Sequence, residues 1–503
     1  MLENFAQAIA LAATWWNLVL MFFGMLGGVI IGALPGLTGT MAVTLLLPFT
    51  FHMEPVPALL LLIAVYKGAM YGGSISAILI KTPGTGAAAC TVLDGYPMAM
   101  QGKAGKALYM ALFASVIADF ISNISLIFCA GWIASFALKF GPPEFFMLIV
   151  FSLTIVASLS GACMWKGLIG GCIGLFLTTI GLDAVYGNTR YTFGNTDLMS
   201  GISFIPLIIG IFAIPEVLKQ CTGRVPKAEQ VHEVGGDHVT LGEFKRCFKT
   251  IVRGSIIGVV LGAIPGIGGA PAAYMSYNEA MRYSKYRDNF GKGEVEGVAA
   301  SEAGNNGCAG ATLIPLLSLG VPGDVVTAVM LGALMMHNLT PGPLLFQDHI
   351  VMVYAIYLGI MVSSALMFLT GLGCIKSFAK IASIPKPILY PTILLICCFG
   401  AFSINNSMFD VLVMALLGAL GYLLAVMKFP EAPLLVGFVL GPMFEDNLQR
   451  SLLLSHGSPT IFFSSVICWF FLILSIASIG YIVYRKMKRK KSDFSECECT
   501  LAK

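Results

Sequence analysis

Apolar residues run along this chain in long blocks separated by short polar patches, and blocks of about 20 residues are long enough to cross a bilayer as helices. They predict crossings at roughly 57–93, 107–138, 144–164, 167–182 and 198–218. A second set follows at 294–335, 351–375, 388–404, 408–427 and 431–446, the last one short, with an extra helix at 459–484. That makes about 11 full crossings in an all-α polytopic membrane protein. Two stretches are too short to span. Between Arg253 and Pro265 only Gly254–Ile264 is apolar, and Pro271–Met281 ends in Arg282, Lys285 and Arg287. Two half-length legs with basic residues at both ends predict a re-entrant hairpin over 254–281, and 24–51 is its counterpart.

The chain resembles itself. Gly28 through Gly39 (GVIIGALPGLTG) matches Gly258 through Gly269 (GVVLGAIPGIGG). Ala69, Gly73, Ala77, Leu79 and Ile80 match Ala303, Gly307, Ala311, Leu313 and Ile314. Thr82–Thr85 answers Val321–Asp324, and Pro206–Gly210 answers Pro433–Gly437. Four blocks in one order point to a duplication. The first repeat is 1–220, with hairpin 24–51 and five crossings; the second is 254–446, with hairpin 254–281 and five crossings. Between them lies a linker, 221–253, expected on the cytoplasmic side. The extra C-terminal helix falls in 447–484 and a basic cytoplasmic tail in 485–503. In the linker, Leu241–Val252 reads either as an amphipathic interfacial helix or as a solvated connection.

Five crossings per copy is an odd number, so the copies are inverted. With the N-terminus outside, 25 of the 30 Lys and Arg fall inside; Lys139, Arg190 and Arg450 fall outside, and Lys67 and Lys81 lie at membrane depth. That distribution satisfies the positive-inside rule.

Composition agrees. At 57% hydrophobic and 11% charged, the chain lacks the roughly 25% charged residues of soluble domains, which excludes an ordinary soluble enzyme, a disordered chain and a nucleic-acid binder. Glycine (56) and proline (24) are both frequent, as in membrane helices. Most of the 13 Cys lie in apolar runs, where they act as small hydrophobes. His232-Glu233 and Asp237-His238 have the wrong spacing for a metal motif. The opening Met1-Leu2-Glu3-Asn4 lacks the basic start of a cleaved signal peptide.

Irregular backbone at membrane depth survives only when it is buried in protein or lines a polar cavity, and here it recurs at four matched places. Pro35, Gly36, Thr38, Gly39 and Thr40 form the first hairpin turn, with Thr38 or Thr40 as helix cap; Pro265, Gly266, Gly268 and Gly269 form the second. Pro83, Gly84 and Thr85, and Pro322, Gly323 and Asp324, interrupt spanning segments. Broken helices in corresponding halves point to a central transport site, whose helix N-termini suit an anion; close helix packing would also use these glycines. Lys67 and Glu302 occupy nearly equivalent positions of the two copies. They pair with each other, or Lys67 meets a substrate carboxylate while Glu302 meets a cation or proton, or each snorkels to an interface. Ser74, Ser76, Asn305 and Asn306 are uncharged ligands of the right kind. Asp324 is a cap or a cation ligand, so Glu302, Asn305 and Asp324 form a candidate coupling-cation site. Asp119 and Asp183 read as structural or interfacial.

The stretches Gly32–Gly39, Tyr66–Ser76, Lys81–Thr85, Gly262–Gly269, Ser301–Gly307 and Gly320–Asp324 resemble the large membrane subunit of tripartite tricarboxylate transporters, the TctA family, over about 1–450. The resemblance implies a bacterial inner-membrane importer of small carboxylates, with its N-terminus periplasmic and its C-terminus cytoplasmic. It implies two partners, a small four-helix membrane subunit and a periplasmic solute-binding protein, and coupling to Na+ or H+ rather than ATP. No cofactor is expected beyond Na+ as coupling ion, and no nucleic acid. No Walker-type loop or His-Glu-x-x-His is present, so no enzymatic constellation is expected. An elevator-type cycle follows by analogy with other two-hairpin transporters. The rival readings are a passive anion channel and a membrane-embedded enzyme. Lys67→Ala and Asn305→Ala are expected to abolish uptake without loss of protein from the membrane.

Overall fold

A computed structural model describes residues 2–34, 36–159, 164–183, 187–222, 237–381 and 386–488. Pro35, His232 and Glu233 therefore lie outside the described residues, as does most of the basic tail.

The chain is helical almost throughout. The first half holds α1 (Leu2–Ala12), α2 (Trp15–Ala33), α3 (Gly39–Thr50), α4 (Pro55–Ile80), α5 (Ala88–Met100), α6 (Ala104–Ala137), α7 (Pro142–Leu159), α8 (Met164–Thr178), α9 (Phe204–Ile208) and α10 (Ile214–Thr222). The second holds α11 (Leu241–Gly262), α12 (Gly269–Tyr283), α13 (Val295–Ala311), α14 (Leu313–Leu319), α15 (Val325–Met336), α16 (Leu345–Asp348), α17 (Ile350–Ile381), α18 (Lys386–Asn405), α19 (Met408–Val426), α20 (Glu431–Leu454) and α21 (Val466–Lys488). A two-residue antiparallel ladder pairs β1 (Gly181–Leu182) with β2 (Thr189–Arg190). Among the described residues, five helices are long and apolar enough to cross a membrane: Trp15–Ala33, Pro55–Ile80, Ala104–Ala137, Ile350–Gly373 and Met408–Val426.

Element bounds differ from the sequence reading in three places. The stretch 241–252 and the leg after Arg253 are one 22-residue helix, α11. Thr240 and Glu243 form its capping box, and Arg253 does not end it because the guanidinium is held by Glu279 (3.4 Å) and the Tyr283 ring. In the first hairpin, α2 begins at Trp15 and is 19 residues long. The expected short run at 431–446 is a 24-residue helix, α20.

The chain divides into two compact units, Met1–Ser135 with Glu216–Asn406, and Phe136–Pro215 with Ser407–Lys503. Both draw on both halves of the sequence. In the first unit α2 packs along α4 and α11 along α13. Glycines on both partners bring the α2 and α4 backbones into contact: a Cβ at Gly28 would fall on the Val65 carbonyl, at Gly32 on that of Ala69, and at Gly72 on that of Val29. This is the small-xxx-small packing that membrane helices use in place of a hydrophobic driving force. On α11, a Cβ at Gly258 would come 2.7 Å from the Gly304 carbonyl, and one at Gly262 3.0 Å from Cys308 Cα. In the second unit α7, α8 and α20 pack together and α21 lies on α7. A π-helical turn, Ile209–Ala213, places Gly210 against Met414 O.

Candidate functional site

The breaks at Pro83 and Pro322 follow from local chemistry. Helix α4 stops where Lys81 turns left-handed (φ 57°), two residues ahead of Pro83, which disfavours a helical residue before it and has no N–H to give. Helix α14 stops at Gly320 (φ 71°), ahead of Pro322. Each break then folds back on its own helix: a Cβ at Gly84 would lie 3.0 Å from Gly73 Cα and one at Gly323 2.6 Å from Thr312 Cα. The separation along the chain is the same in both.

Three of the four breaks meet in the first unit. Gly266 N donates to Gly323 O at 2.8 Å. A Cβ at Gly268 would lie 3.3 Å from Asp324 Cβ. One at Gly269 would lie 2.8 Å from Asn305 Oδ1 and 3.5 Å from both Ala87 Cβ and Met70 Cε. Gly269 opens α12, whose first turn has no side-chain cap, and Pro271 removes one further N–H from it. Beside it Asn305 is 1% exposed, with neither its amide oxygen nor its amide nitrogen hydrogen-bonded. Buried polar groups are nearly always satisfied, and one that is not points to a role outside packing. An orphan amide next to the free N–H groups of a helix start can take up an anion's oxygens.

The fourth break follows the last turn of α2, where a Cβ at Gly84 would fall on the Gly32 carbonyl. Thr38 caps α3 by accepting from Met41 N at 3.2 Å, Gly39 faces Ala69, and Gly36 faces Glu216 and Gln220 of α10. Thr40 stands in the first turn of α3. Thr85 accepts from Ala88 N at 3.2 Å and so caps α5.

Of the charged candidates, Asp324 stands at a break, whereas Lys67 and Glu302 are bonded to other partners. Lys67 does not pair with Glu302. Its ammonium donates to Asp119 Oδ2 (3.0 Å), Asn123 Oδ1 (2.9 Å) and the Ile360 carbonyl (2.9 Å), which uses all three protons. That leaves it no donor for a substrate carboxylate in this arrangement. Ser74 and Asn306 belong to Glu302: Ser74 Oγ and Asn306 Nδ2 lie 3.1 and 3.2 Å from its Oε2. Asp324 caps α15, accepting from Thr327 N at 2.8 Å and from the Tyr66 hydroxyl at 3.0 Å. Glu302 and Asp324 share no hydrogen-bonding partner among the described residues: Ser74, Thr91, Ser115 and Asn306 surround the first, Thr327 and Tyr66 the second.

Two features escaped the sequence reading. Along α6, Ser115, Asp119, Ser122 and Asn123 line one face; Ser115 reaches Glu302, Asp119 and Asn123 reach Lys67, and Ser122 accepts from Ala311 N at 2.8 Å. A polar stripe at helical spacing in an apolar helix was the available signal. The other is Asp94 on α5, 1% exposed. Its Oδ1 accepts from the backbone N–H groups of Gly291, Gly293 and Glu294 at 2.8–2.9 Å, and its Oδ2 from the Tyr277 hydroxyl at 2.7 Å. Nothing in the sequence marked it, because its partners are mostly backbone.

A sequence model of the tripartite tricarboxylate transporter TctA family matches residues 18–436. A protein of Agrobacterium vitis named "Uncharacterized 52.8 kDa protein in TAR-I ttuC' 3'region" is 36% identical over 491 residues, 98% of each chain. A second from the same organism, "Uncharacterized protein in TAR-II ttuC' 3'region", is 35% identical over 234 residues, 46% of this chain and 97% of its own length. No solved structure matches.

Proposed function

The chain belongs to the tripartite tricarboxylate transporter TctA family, and from that premise we propose that it is the large permease subunit of a secondary transporter importing small organic acids, tricarboxylates such as citrate or related carboxylates. It works in the bacterial inner membrane with a small four-helix membrane subunit and a periplasmic solute-binding protein, and it is driven by symport with Na+ or H+. The two repeats are inverted, with the N-terminus periplasmic and the C-terminus cytoplasmic.

The observation that carries the site is Asn305. Its unpaired amide and the uncapped first turn of α12 offer hydrogen-bond donors in a buried place where three chain breaks meet. A carboxylate seated there takes the Asn305 Nδ2 protons and the free N–H groups at Gly269 and Ala270. Gly266, Gly268, Gly323, Thr85 and Pro83 shape the surrounding backbone. Lys67, held by Asp119, Asn123 and the Ile360 carbonyl, does not touch the substrate.

Uptake of radiolabelled citrate and succinate by proteoliposomes holding the full transporter tests the reading. Accumulation above the outside concentration is expected with an inward ion gradient and not without one. Equilibration that ignores the gradient would make the chain a passive anion channel. Asn305→Ala is expected to lose uptake while keeping its thermal stability; full transport by that variant would place the substrate elsewhere.

A further inference from the structure

Glu302 is the buried acid that the breaks do not use. It is 0% exposed on α13, and three other helices approach it. Thr91 of α5 bonds to Oε1. Ser74 of α4 and Ser115 of α6 each lie 3.1 Å from Oε2, and Asn306 of its own helix 3.2 Å from the same oxygen. Among the described residues no Lys, Arg or His stands within ion-pair distance of it. The nearest cation along α4 is Lys67, already neutralised by Asp119 at 3.0 Å. A lone carboxylate at membrane depth is costly, so this one needs a small positive partner.

Two details of the shell select that partner. A hard metal cation wants several oxygen lone pairs turned toward it. Here Asn306 Nδ2, which also donates to Ser115 at 2.8 Å, lies 3.2 Å from Oε2, and the Thr91 hydroxyl lies on Oε1, so both carboxylate oxygens face hydrogen-bond donors. Second, Ser74 has one hydroxyl hydrogen and two neighbours, the Tyr71 carbonyl at 2.6 Å and Oε2 at 3.1 Å. With its hydrogen on the shorter bond, Ser74 turns a lone pair toward Oε2. That contact is a hydrogen bond only when Oε2 itself holds a proton.

We propose that Glu302 carries the coupling proton, held on Oε2 and donated to Ser74 Oγ. This rests on the reading of the chain as an ion-coupled permease and narrows its ion from Na+ or H+ to H+. Loading adds one proton to the carboxylate. Release passes that proton to water, and the Ser74 hydroxyl then swings its own hydrogen from Tyr71 O to Oε2. No other bond is made or broken.

Most other ionisable groups on the helices around Glu302 are engaged elsewhere. On α4 and α6, Lys67 and Asp119 bind each other. On α5, Asp94 is held by Tyr277 of α12 and by three backbone N–H groups, while the buried Cys90 thiol stands close enough to Glu302 to feel its charge. On α11, Arg253 bonds to Glu279 and Cys247 is buried. On α13 itself, Glu296 accepts from Thr250 and Ser284, and Glu294 from Arg246.

Two measurements on the full transporter in lipid test this. Infrared difference spectra across a pH series are expected to show the carbonyl stretch of a buried carboxylic acid that vanishes in Glu302→Gln, shifts in Ser74→Ala and does not respond to Na+ replacing K+. Citrate and succinate uptake is expected to follow an inward pH gradient and ignore a Na+ gradient, and Glu302→Gln to lose the response to pH. No acid band at neutral pH, a band that survives Glu302→Gln, or uptake driven by Na+ alone would overturn the proposal. A band lost in Glu302→Gln with no uptake by the wild type would keep the proton site and sink the permease reading instead.

Discussion

Lys67 and Asp119 form an ion pair, Nζ to Oδ2 3.0 Å, in which each side chain is 1% exposed. Removing one partner of such a pair leaves an uncompensated buried charge, at a cost of about 3–5 kcal/mol, whereas removing both together with well-packed replacements is far milder. Lys67→Ala is therefore expected to lower the melting temperature sharply and to reduce the amount of protein in the membrane, contrary to the expectation from sequence that only uptake would suffer. Lys67→Met with Asp119→Leu is expected to recover most of the stability. Thermal unfolding in detergent checks both, and a wild-type melting temperature for Lys67→Ala would show that the pair does not hold the fold.

Glycine placement on α2 gives an internal control. A Cβ at Gly32 would fall on the Ala69 carbonyl, while one at Gly27 meets nothing within 4 Å. Gly32→Ala must push α2 from α4 and is expected to cost about 1–3 kcal/mol, the range for overpacking. Gly27→Ala is expected to be neutral or slightly stabilising through helix propensity. The difference in melting temperature between the two variants is the measurement, and equal values would mean that α2 and α4 do not touch along this seam.

What the sequence made legible follows from which interactions leave a local mark. Breaks at Pro83 and Pro322 were readable because proline and glycine act on their own backbone, and Thr38 as a cap because capping is local. Asn305 was singled out by residue type at membrane depth. The partnership of Lys67 was not readable: Asp119 lies on a different helix, and choosing it over Glu302 depends on how α4, α6 and α13 pack. The start of α11 was misplaced because Arg253 looked like a membrane edge, whereas Glu279 and Tyr283 accommodate it within a continuous helix.

Glu243, at the start of α11, predicts a pH dependence. Burial opposes its ionisation, but hydrogen bonds from Lys106 and Thr240 outweigh that and hold the carboxyl at about 2, below its ordinary 4.5. A carboxyl depressed on folding stabilises the fold above its unfolded value and loses that contribution as pH falls toward the folded one. Both side chains of the pair are partly exposed, 21% and 27%, so the effect is small. Glu243→Gln is expected to melt below the wild type at neutral pH, with the gap closing as pH falls from about 4.5 toward 2. A gap that stays constant across that window would show that the pair contributes nothing through ionisation.

Asp94 holds the segment after α12 in place. One of its oxygens accepts three backbone N–H groups, from Gly291, Gly293 and Glu294, and the other accepts the Tyr277 hydroxyl. Gly291 (φ 78°) and Gly293 (φ 102°) adopt conformations that other residues rarely take, and these aim successive N–H groups at one oxygen, an anion-binding nest filled by the protein's own carboxylate. Asp94→Ala strands those donors; each one that stays unsatisfied costs about 1–3 kcal/mol, and water rescues those it can reach. Asp94→Asn keeps one acceptor oxygen for the nest and is expected to be milder. Hydrogen exchange over 284–294 is expected to be fastest in Asp94→Ala, intermediate in Asp94→Asn and slowest in the wild type, while the body of α13 stays protected. Equal exchange of this segment in all three proteins would mean that the loop is held by Phe290 packing on Tyr277 instead.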